Sequence, residues 1–201
     1  MKWRTTNLTR QLKPLYQIKM EKSLLIYDPV FKDNRGTLAP LSLKFKEGNH
    51  PYLIKEWLQS NISVNPKKYT LRGLHYQSGE YAQTKLVKVI VGNIIDFVVD
   101  LRKDSEDYGK CFVYEVNSGY ELFVPKGFAH GFITTEDNTV VQYLVDEKYS
   151  QPDEGSILWS SVPDIIEGIN KTIQGFNPEE ILISDKDKEC ISLDEYLKNS
   201  F

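Results

Sequence analysis

The sequence predicts an all-β domain, either a barrel or a sandwich. Across residues 85–145, short apolar runs rich in Val, Ile, Phe and Tyr alternate with turn residues. The turns recur at the spacing of roughly eight to twelve residues that is typical of sandwiches and barrels. The apolar residues of this region do not follow the period of a helix. Because small barrels can hold a ligand in their interior, we expect a site enclosed by strands.

Further strands are predicted before residue 85, and the character of the chain changes after residue 163. The predicted strands cover residues 24–27, 37–44 and 52–63, where charged residues interrupt the apolar pattern. Strand patterns become sparse beyond Pro163. Ser192 and Glu195 have the spacing of a capping box ahead of Tyr196, which predicts a short C-terminal helix.

A hairpin is predicted at Gly92-Asn93, a two-residue loop between residues 85–91 and 94–101. Counting outward from this loop places Lys85 opposite Asp100. One interpretation of Lys85 is therefore a cross-strand ion pair at the end of an apolar face. The other is an electrophilic lysine that faces the barrel interior.

Length and charge exclude several classes of protein. The 201 residues fit one domain, which we take to be residues 1–201. Lys and Arg total 25 against 28 for Asp and Glu, so no global field attracts nucleic acid or an anionic membrane. The chain has no signal-peptide pattern and no uncharged run of about 18 residues. We therefore expect a cytoplasmic protein with neither nucleic acid nor a membrane as partner.

Polar residues within the apolar strands are the candidates for a site, because burying a polar group is costly unless it is satisfied. His130 alternates with phenylalanines, Tyr143 alternates with valines, and His75 follows Leu71 and Gly73 on one face. Taken singly, each is either a hydrogen-bonded core residue or a functional group, and the pattern leaves both interpretations open.

Metal chemistry is not predicted. The chain has three histidines and two cysteines, without an HxH or CxxC spacing, and Gln77 stands two residues after His75. These residues do not provide the ligand spacing of a zinc site or of a metal-binding cupin. A GxSxG elbow and a glycine-rich phosphate loop are also missing from the sequence. We expect no metal.

Several segments resemble, in order, those of the dTDP-4-dehydrorhamnose 3,5-epimerase family. The first is Leu71–Gln77, with the sequence LRGLHYQ. The others are Lys85, residues 91–102 (VGNIIDFVVDLR), residues 125–132 (PKGFAHGF), Tyr143 with Tyr149, residues 154–159 (EGSILW) and residues 182–187 (LISDKD). Upstream, residues 31–36 and 59–63 resemble the nucleotide-binding strands of the family. The resemblance covers about residues 24–190 and leaves residues 1–23 as an N-terminal extension.

The resemblance implies a double-stranded β-helix, the cupin or jelly-roll barrel, with short C-terminal helices. It implies an isomerase that acts on a nucleotide-diphosphate sugar and inverts carbons next to a 4-keto group, without a cofactor. It also implies a homodimer in which an exchanged N-terminal strand around Arg35 completes the site of the partner.

Roles for individual residues follow from the same resemblance. His75 would remove the carbon-bound proton, Asp187 would orient His75, Lys85 would stabilise the enolate, and Tyr143 would return the proton from the opposite face of the ring. The substrate-binding residues would be Arg72, His130 and Lys186 at the diphosphate or sugar hydroxyls, with Arg35, Gln59, Asn61 and Tyr149 at the nucleotide.

Two features depart from a simple match. Strict strand alternation puts Arg72 and His75 on opposite faces, so a shared site requires a bulge, which we expect at Gly73. Where the family usually has Arg-Gly-x-Phe-x-Glu, this chain has Pro40 in place of the glutamate, which leaves the nucleobase open. The alternatives are an epimerase that inverts one carbon only, an epimerase that acts on another nucleotide sugar, and a non-catalytic sugar-binding cupin.

Overall fold

The computed structural model describes the backbone of residues 24–27, 31–33 and 36–38, and both backbone and side chains of residues 56–199. The strands are β1 Leu24–Tyr27, β2 Phe31–Asp33, β3 Gly36–Leu38, β4 Gln59–Asn65, β5 Leu71–Gln77, β6 Lys85–Val91, β7 Asn93–Asp100, β8 Cys111–Asn117, β9 Tyr120–Val124, β10 Phe128–Thr134, β11 Thr139–Val145 and β12 Glu154–Ser156. The α-helices are α1 Pro163–Thr172, α2 Asp185–Lys188 and α3 Leu193–Asn199. None of the helices in these ranges is long and apolar enough to cross a membrane.

Two five-stranded antiparallel sheets form the body of the fold. The strand order of the first sheet is β1-β9-β6-β11-β4, and that of the second is β12-β5-β10-β7-β8. Strands that follow one another in sequence, such as β6 and β7 or β8 and β9, lie in different sheets. Chain crossing of this kind is typical of jelly-roll barrels, so the predicted cupin-type fold is confirmed.

The inner faces of the two sheets enclose one apolar core. Val87 of β6 and Val141 of β11 pack there against Val98 of β7 and Phe132 of β10. A second core lies on the outer face of the second sheet, where Phe97 is fully buried beneath the C-terminal helices. The second sheet is therefore buried on both faces, which explains why β7 reads as a nearly continuous apolar run.

The predicted hairpin at Gly92-Asn93 is wrong. β6 pairs with β9 and β11, whereas β7 pairs with β8 and β10. Gly92, at φ +85°, turns the chain from one sheet into the other, and a Cβ there would lie 2.3 Å from Thr139 Oγ1. Lys85 therefore lies opposite Val124 and Val145. Its predicted partner Asp100 is instead bound by Arg102.

The other predicted elements are confirmed where the structure describes them, with shifted bounds. β1 covers residues 24–27 as predicted, β3 overlaps the strand predicted at 37–44, and residues 39–55 lie outside the described part of the chain. The strand predicted at 52–63 begins only at Gln59. Helix α3 is confirmed, and the Glu195 amide donates to Ser192 Oγ at 3.1 Å. Helix α1 was not predicted, although Ile165 and Ile169 mark its buried face.

Candidate active site

Two adjoining cavities open between the sheets. The first, of about 360 Å³, is lined by seven of the predicted residues, namely Arg72, His75, Lys85, His130, Tyr143, Lys186 and Asp187. The second, of about 330 Å³, is lined by Gln59, Asn61 and Tyr149 together with His75, Lys85 and Tyr143. The structure thus brings ten of the eleven predicted site residues to one continuous region. The eleventh, Arg35, lies outside the described residues.

A bulge in β5 allows Arg72 and His75 to line the same cavity. Gly73 has φ +105°, and the pairing of β5 with β10 shifts register between His130 and Phe132. A Cβ on Gly73 would lie 2.6 Å from the His130 carbonyl oxygen. Only glycine fits this backbone position and this close approach, so the bulge predicted at Gly73 is confirmed.

His75 and Asp187 form a pair at the mouth of the first cavity. His75 Nε2 lies 2.7 Å from Asp187 Oδ1. The Asp187 amide donates to Ser184 Oγ at the start of α2. The Gly73 amide donates to Asp187 Oδ2 at 3.3 Å. Backbone and helix cap therefore fix the carboxylate before any ligand binds.

The ionised carboxylate of Asp187 suits a histidine that abstracts a proton. Burial raises the pKa of Asp187, but the hydrogen bond and charge of His75 outweigh it, so the pKa lies below its ordinary value of 3.8. An ionised carboxylate can only accept a hydrogen bond, so it accepts from Nε2–H, and in the neutral form of His75 the lone pair lies on Nδ1. About a third of the His75 side chain is exposed, so the ring remains accessible from the cavity.

Lys85 enters the cavities from the first sheet, on the inner face of β6. Burial lowers the pKa of Lys85 to about 8, although the negative charges of Asp96 and Glu154 oppose the shift. The ammonium is therefore still the main form at neutral pH. A buried cation at this place attracts an anionic oxygen strongly, because the surrounding core screens its charge poorly.

Tyr143 lies on the inner face of β11, also in the first sheet. His75 lies on β5 in the second sheet, so the two side chains reach the same cavities from opposite walls. Burial raises the pKa of the Tyr143 phenol, and the positive charge of Arg72 only partly offsets this. Tyr143 is therefore a neutral proton donor at neutral pH.

Arg72 and His130 are each held by a fully buried side chain that the sequence did not single out. Arg72 Nε donates to Asn65 Oδ1 at 2.9 Å, and the Asn65 amide group donates to the Thr139 carbonyl oxygen. His130 Nε2 lies 2.9 Å from Oδ2 of Asp96. Asn65 and Asp96 both have zero exposure. Asn65 was missed because its strand carries no motif, whereas Asp96 lies in the segment VGNIIDFVVDLR, whose resemblance to the family was the available signal.

Glu154 also belongs to the site, although its position in the sequence assigns it no role. Its Oε2 accepts hydrogen bonds from Lys186 Nζ at 2.6 Å and from the Tyr149 hydroxyl at 2.9 Å. Burial raises the pKa of Glu154, but Lys186 and Tyr149 outweigh burial and hold it below 4.5. Its place in the segment EGSILW, which matches the family, was the available signal.

The remaining predicted residues lie at the outer cavity. Gln59 and Asn61 are neighbours on the inner face of β4, and Gln59 Nε2 donates to Asn61 Oδ1 at 2.6 Å. Tyr149 follows β11 and is exposed. Two amides beside an aromatic ring provide hydrogen bonds and a stacking surface, which suit a planar polar ligand such as a nucleobase.

No group of three or more His, Cys, Asp or Glu residues that could hold a metal ion occurs in the portion of the chain that the structure describes. Both cysteines are free, and burial raises the pKa of Cys111 to about 12. The expectation from the sequence, a reaction without metal or cofactor, stays a prediction.

Comparison with known proteins identifies the family. A family model described as dTDP-4-dehydrorhamnose 3,5-epimerase matches residues 17–195. The dTDP-4-dehydrorhamnose 3,5-epimerase of Shigella flexneri is 38% identical over 168 residues, which are 82% of this chain and 87% of the relative. That of Methanothermobacter thermautotrophicus is 35% identical over 173 residues, which are 84% of this chain and 88% of the relative.

Solved structures give the same result. The dTDP-4-dehydrorhamnose 3,5-epimerase of Sulfolobus tokodaii superimposes with a TM-score of 0.70 at 35% identity, covering 89% of this chain and 94% of its own. The dTDP-6-deoxy-D-glucose-3,5-epimerase of Legionella pneumophila, solved with dTDP-4-keto-L-rhamnose, superimposes with a TM-score of 0.70 at 28% identity. It covers 86% of this chain and 88% of its own. The chain therefore belongs to the dTDP-4-dehydrorhamnose 3,5-epimerase family of isomerases.

Proposed function

We propose that the protein inverts C3 and C5 of a dTDP-4-keto-6-deoxyhexose by removing and returning protons next to the 4-keto group. The observation that carries this proposal is the opposition of His75, on the second sheet, to Tyr143, on the first. Inversion requires a base on one face of the sugar ring and an acid on the other. A sugar bound between the two walls meets both groups at once.

His75 is the base. The hydrogen bond to Asp187 holds the proton on Nε2, so Nδ1 takes up the carbon-bound proton. The resulting imidazolium is stabilised by the Asp187 carboxylate at 2.7 Å. Asp187 orients the ring and His75 acts as the base, as in other enzymes where a carboxylate supports a catalytic histidine.

Lys85 stabilises the enolate. Loss of the carbon-bound proton moves negative charge to the 4-keto oxygen, and an ammonium in place beforehand lowers the energy of that charge. Lys85 lines both cavities with His75 and Tyr143. The neutral Tyr143 phenol then gives a proton to the opposite face of the carbon, which completes the inversion. The phenol regains a proton from solvent, and the His75 imidazolium releases the abstracted proton to solvent.

The remaining cavity residues bind the substrate. Arg72 and Lys186 carry positive charge for the diphosphate, where the fork of arginine suits phosphate oxygens. His130 faces the sugar hydroxyls. Gln59, Asn61 and Tyr149 lie at the outer cavity and bind the nucleotide. Arg35, in the N-terminal strand exchanged within the dimer, completes this nucleotide site in the partner. The Legionella relative bound to dTDP-4-keto-L-rhamnose supports a nucleotide-sugar substrate for this cavity.

The protein acts as a homodimer that exchanges an N-terminal strand. An apolar row on the first sheet supports a covering partner, since Val64 and Val91 lie on either side of Val140 in register. Val64 and Val91 are 59% and 51% exposed, and Ile62 is 68% exposed. Exposed apolar residues beside an edge strand favour association. Sedimentation at micromolar concentration tests the dimer, and a fully active monomer would contradict it.

The chain is a single epimerase domain in the cytoplasm, and its reaction uses no cofactor. All strands from β4 to β12 belong to the same two packed sheets, which supports a single domain. His75 and Tyr143 serve C3 and C5 in turn when the sugar shifts between them, so one base and one acid invert both carbons.

Solvent deuterium exchange, read by position in candidate 4-keto sugar nucleotides, tests the proposal. Incorporation at both C3 and C5 with inversion is the expected result. Exchange at a single position would indicate a single-carbon epimerase. Binding without exchange would indicate a sugar-binding protein without catalytic activity, and a preference for another nucleobase would correct the nucleotide.

A further inference from the structure

Asp96 is a charged residue inside the apolar core behind the cavity. Its strand partners on the inner face are Phe132 of β10 and Tyr114 of β8. Asp96 is fully buried. One carboxylate oxygen, Oδ2, contacts His130 Nε2, while Oδ1 has no hydrogen-bonding partner among the described residues. Buried polar atoms without partners are few in folded proteins, and each calls for an explanation.

The cost of burying this carboxylate is not explained by packing. Burial raises the pKa of Asp96, and the neighbouring charges of His130 and Lys85 oppose the shift without cancelling it. A carboxylate in an apolar core destabilises a fold unless a charged partner compensates. An apolar side chain would suit this face better, as Ile94 and Val98 on the same strand do.

We propose that Asp96 is a positioning residue that fixes the ring of His130 through Nε2 and serves Lys85 as its counter-charge across the cavity. The contact with Nε2 keeps the proton on that nitrogen and leaves Nδ1 of His130 as an acceptor for a substrate hydroxyl. The negative charge of Asp96 keeps Lys85 protonated. The same carboxylate thus acts on one residue of each sheet, and it does so without touching substrate.

Lys85 is surrounded by several other titratable groups, so its charge depends on more than Asp96. Those that line the cavities with it are Arg72, His75 and Tyr76 of β5, His130 of β10, Tyr143 of β11, Tyr149 after β11, Glu154 of β12, and Lys186 and Asp187 of α2. The negative charges that raise the pKa of Lys85 against the effect of burial are those of Asp96 and Glu154. Glu154 is already neutralised by Lys186 at 2.6 Å, which leaves Asp96 as the counter-charge that a variant can remove cleanly.

The test is Asp96→Asn, which keeps the shape and removes the charge. We expect kcat to fall by about 10- to 100-fold, as for other partners that orient a histidine. The alkaline limb of the pH profile should also move to lower pH by at least about half a unit, because Lys85 loses its counter-charge. The matched control is Asp100→Asn, since Asp100 lies on the same strand, is also fully buried and is bound by Arg102 away from both cavities. Asp100→Asn should leave the pH of the alkaline limb unchanged.

A folded Asp96→Asn protein with an unshifted alkaline limb would overturn the proposal, whatever its kcat. The ¹⁵N shifts of His130 in the wild-type protein provide a second test that needs no variant of Asp96. With three histidines in the chain, the signal can be assigned by substitution. A proton on Nε2 is the expected result, and a proton on Nδ1 with a bare Nε2 would also overturn the proposal.

This inference rests on the proposed function, but the two fail differently. If the wild-type protein shows no exchange into any 4-keto sugar nucleotide, the proposed function is wrong. If the wild-type protein exchanges normally and Asp96→Asn leaves the alkaline limb unshifted, only the role of Asp96 is wrong.

Discussion

His75 Nε2 lies 2.7 Å from Asp187 Oδ1, although the two residues stand 112 positions apart in the sequence. The bulge at Gly73 turns His75 into the cavity, and α2 carries Asp187 to the same place with its amide capped by Ser184. A base and its orienting carboxylate are therefore assembled by two local features, one in a strand and one in a short helix.

Removing the charge of Asp187 should impair the base without removing it. Asp187→Asn cannot hold the proton of His75 on Nε2 as firmly, so we expect kcat to fall by about 10²- to 10⁴-fold. Steady-state kinetics measure this. Asp185→Asn is the matched control, because Asp185 belongs to the same helix but is exposed and pairs with Lys188. Equal losses in both variants would show that the helix, and not the carboxylate, is responsible.

Tyr143→Phe should separate the two halves of the reaction. The substitution keeps the ring and its packing but deletes the hydroxyl that returns the proton. Inversion should be strongly reduced, while exchange of solvent deuterium from the His75 side continues. Nuclear magnetic resonance of the recovered sugar nucleotide measures both. Tyr108→Phe, at a tyrosine that lines neither cavity, is expected to leave both inversion and exchange unchanged. A Tyr143→Phe enzyme that inverts at the normal rate would exclude Tyr143 as the acid.

The pH dependence of activity should report on Lys85. The pKa of Lys85 is lowered by burial to about 8, and only the protonated form stabilises the enolate. Activity of the free enzyme, measured as kcat/KM, should therefore fall as the pH rises through about 8. Lys85→Met should remove activity, whereas Lys110→Met, at an exposed lysine paired with Asp107, should not. Full activity of the Lys85→Met protein would contradict the assignment.

Exhaustive chelation should leave activity unchanged. The proposed base, enolate stabiliser and acid are all side chains of the chain, so no step depends on a Lewis acid. Activity is measured before and after dialysis against a strong chelator, with the bound metal determined in parallel. An inactive chelated enzyme that zinc, manganese or iron restores would refute the mechanism without metal.

The local chemistry of the site followed from the sequence, while its long-range pairing did not. Strand alternation and Gly73 together predicted a bulge between Arg72 and His75, because glycine is the residue that tolerates such a backbone. The hairpin at Gly92 was predicted wrongly, because a tight turn fits both a hairpin and a crossing between sheets. Periodicity cannot tell which strands pair when both faces of a strand are apolar.

The roles of Asp96 and Glu154 also could not be predicted from local sequence patterns. Asp96 stands among Ile95, Phe97 and Val98 and carries no spacing signal; only the partner strand β10 reveals that its carboxylate meets His130. Glu154 acquires a role through Tyr149 and Lys186, which come to it from two different segments. Contacts of this kind depend on the tertiary fold and are invisible to a local pattern.

The most direct test of the account is solvent deuterium exchange with a well-folded His75→Ala protein. The fold is checked first by thermal unfolding, because truncating a partly buried histidine can destabilise a barrel. We predict that both epimerisation and exchange are lost, by at least about 10²-fold, which is typical for removal of a general base. Near-normal exchange in the folded variant would contradict the account and would direct the search for the base to His130.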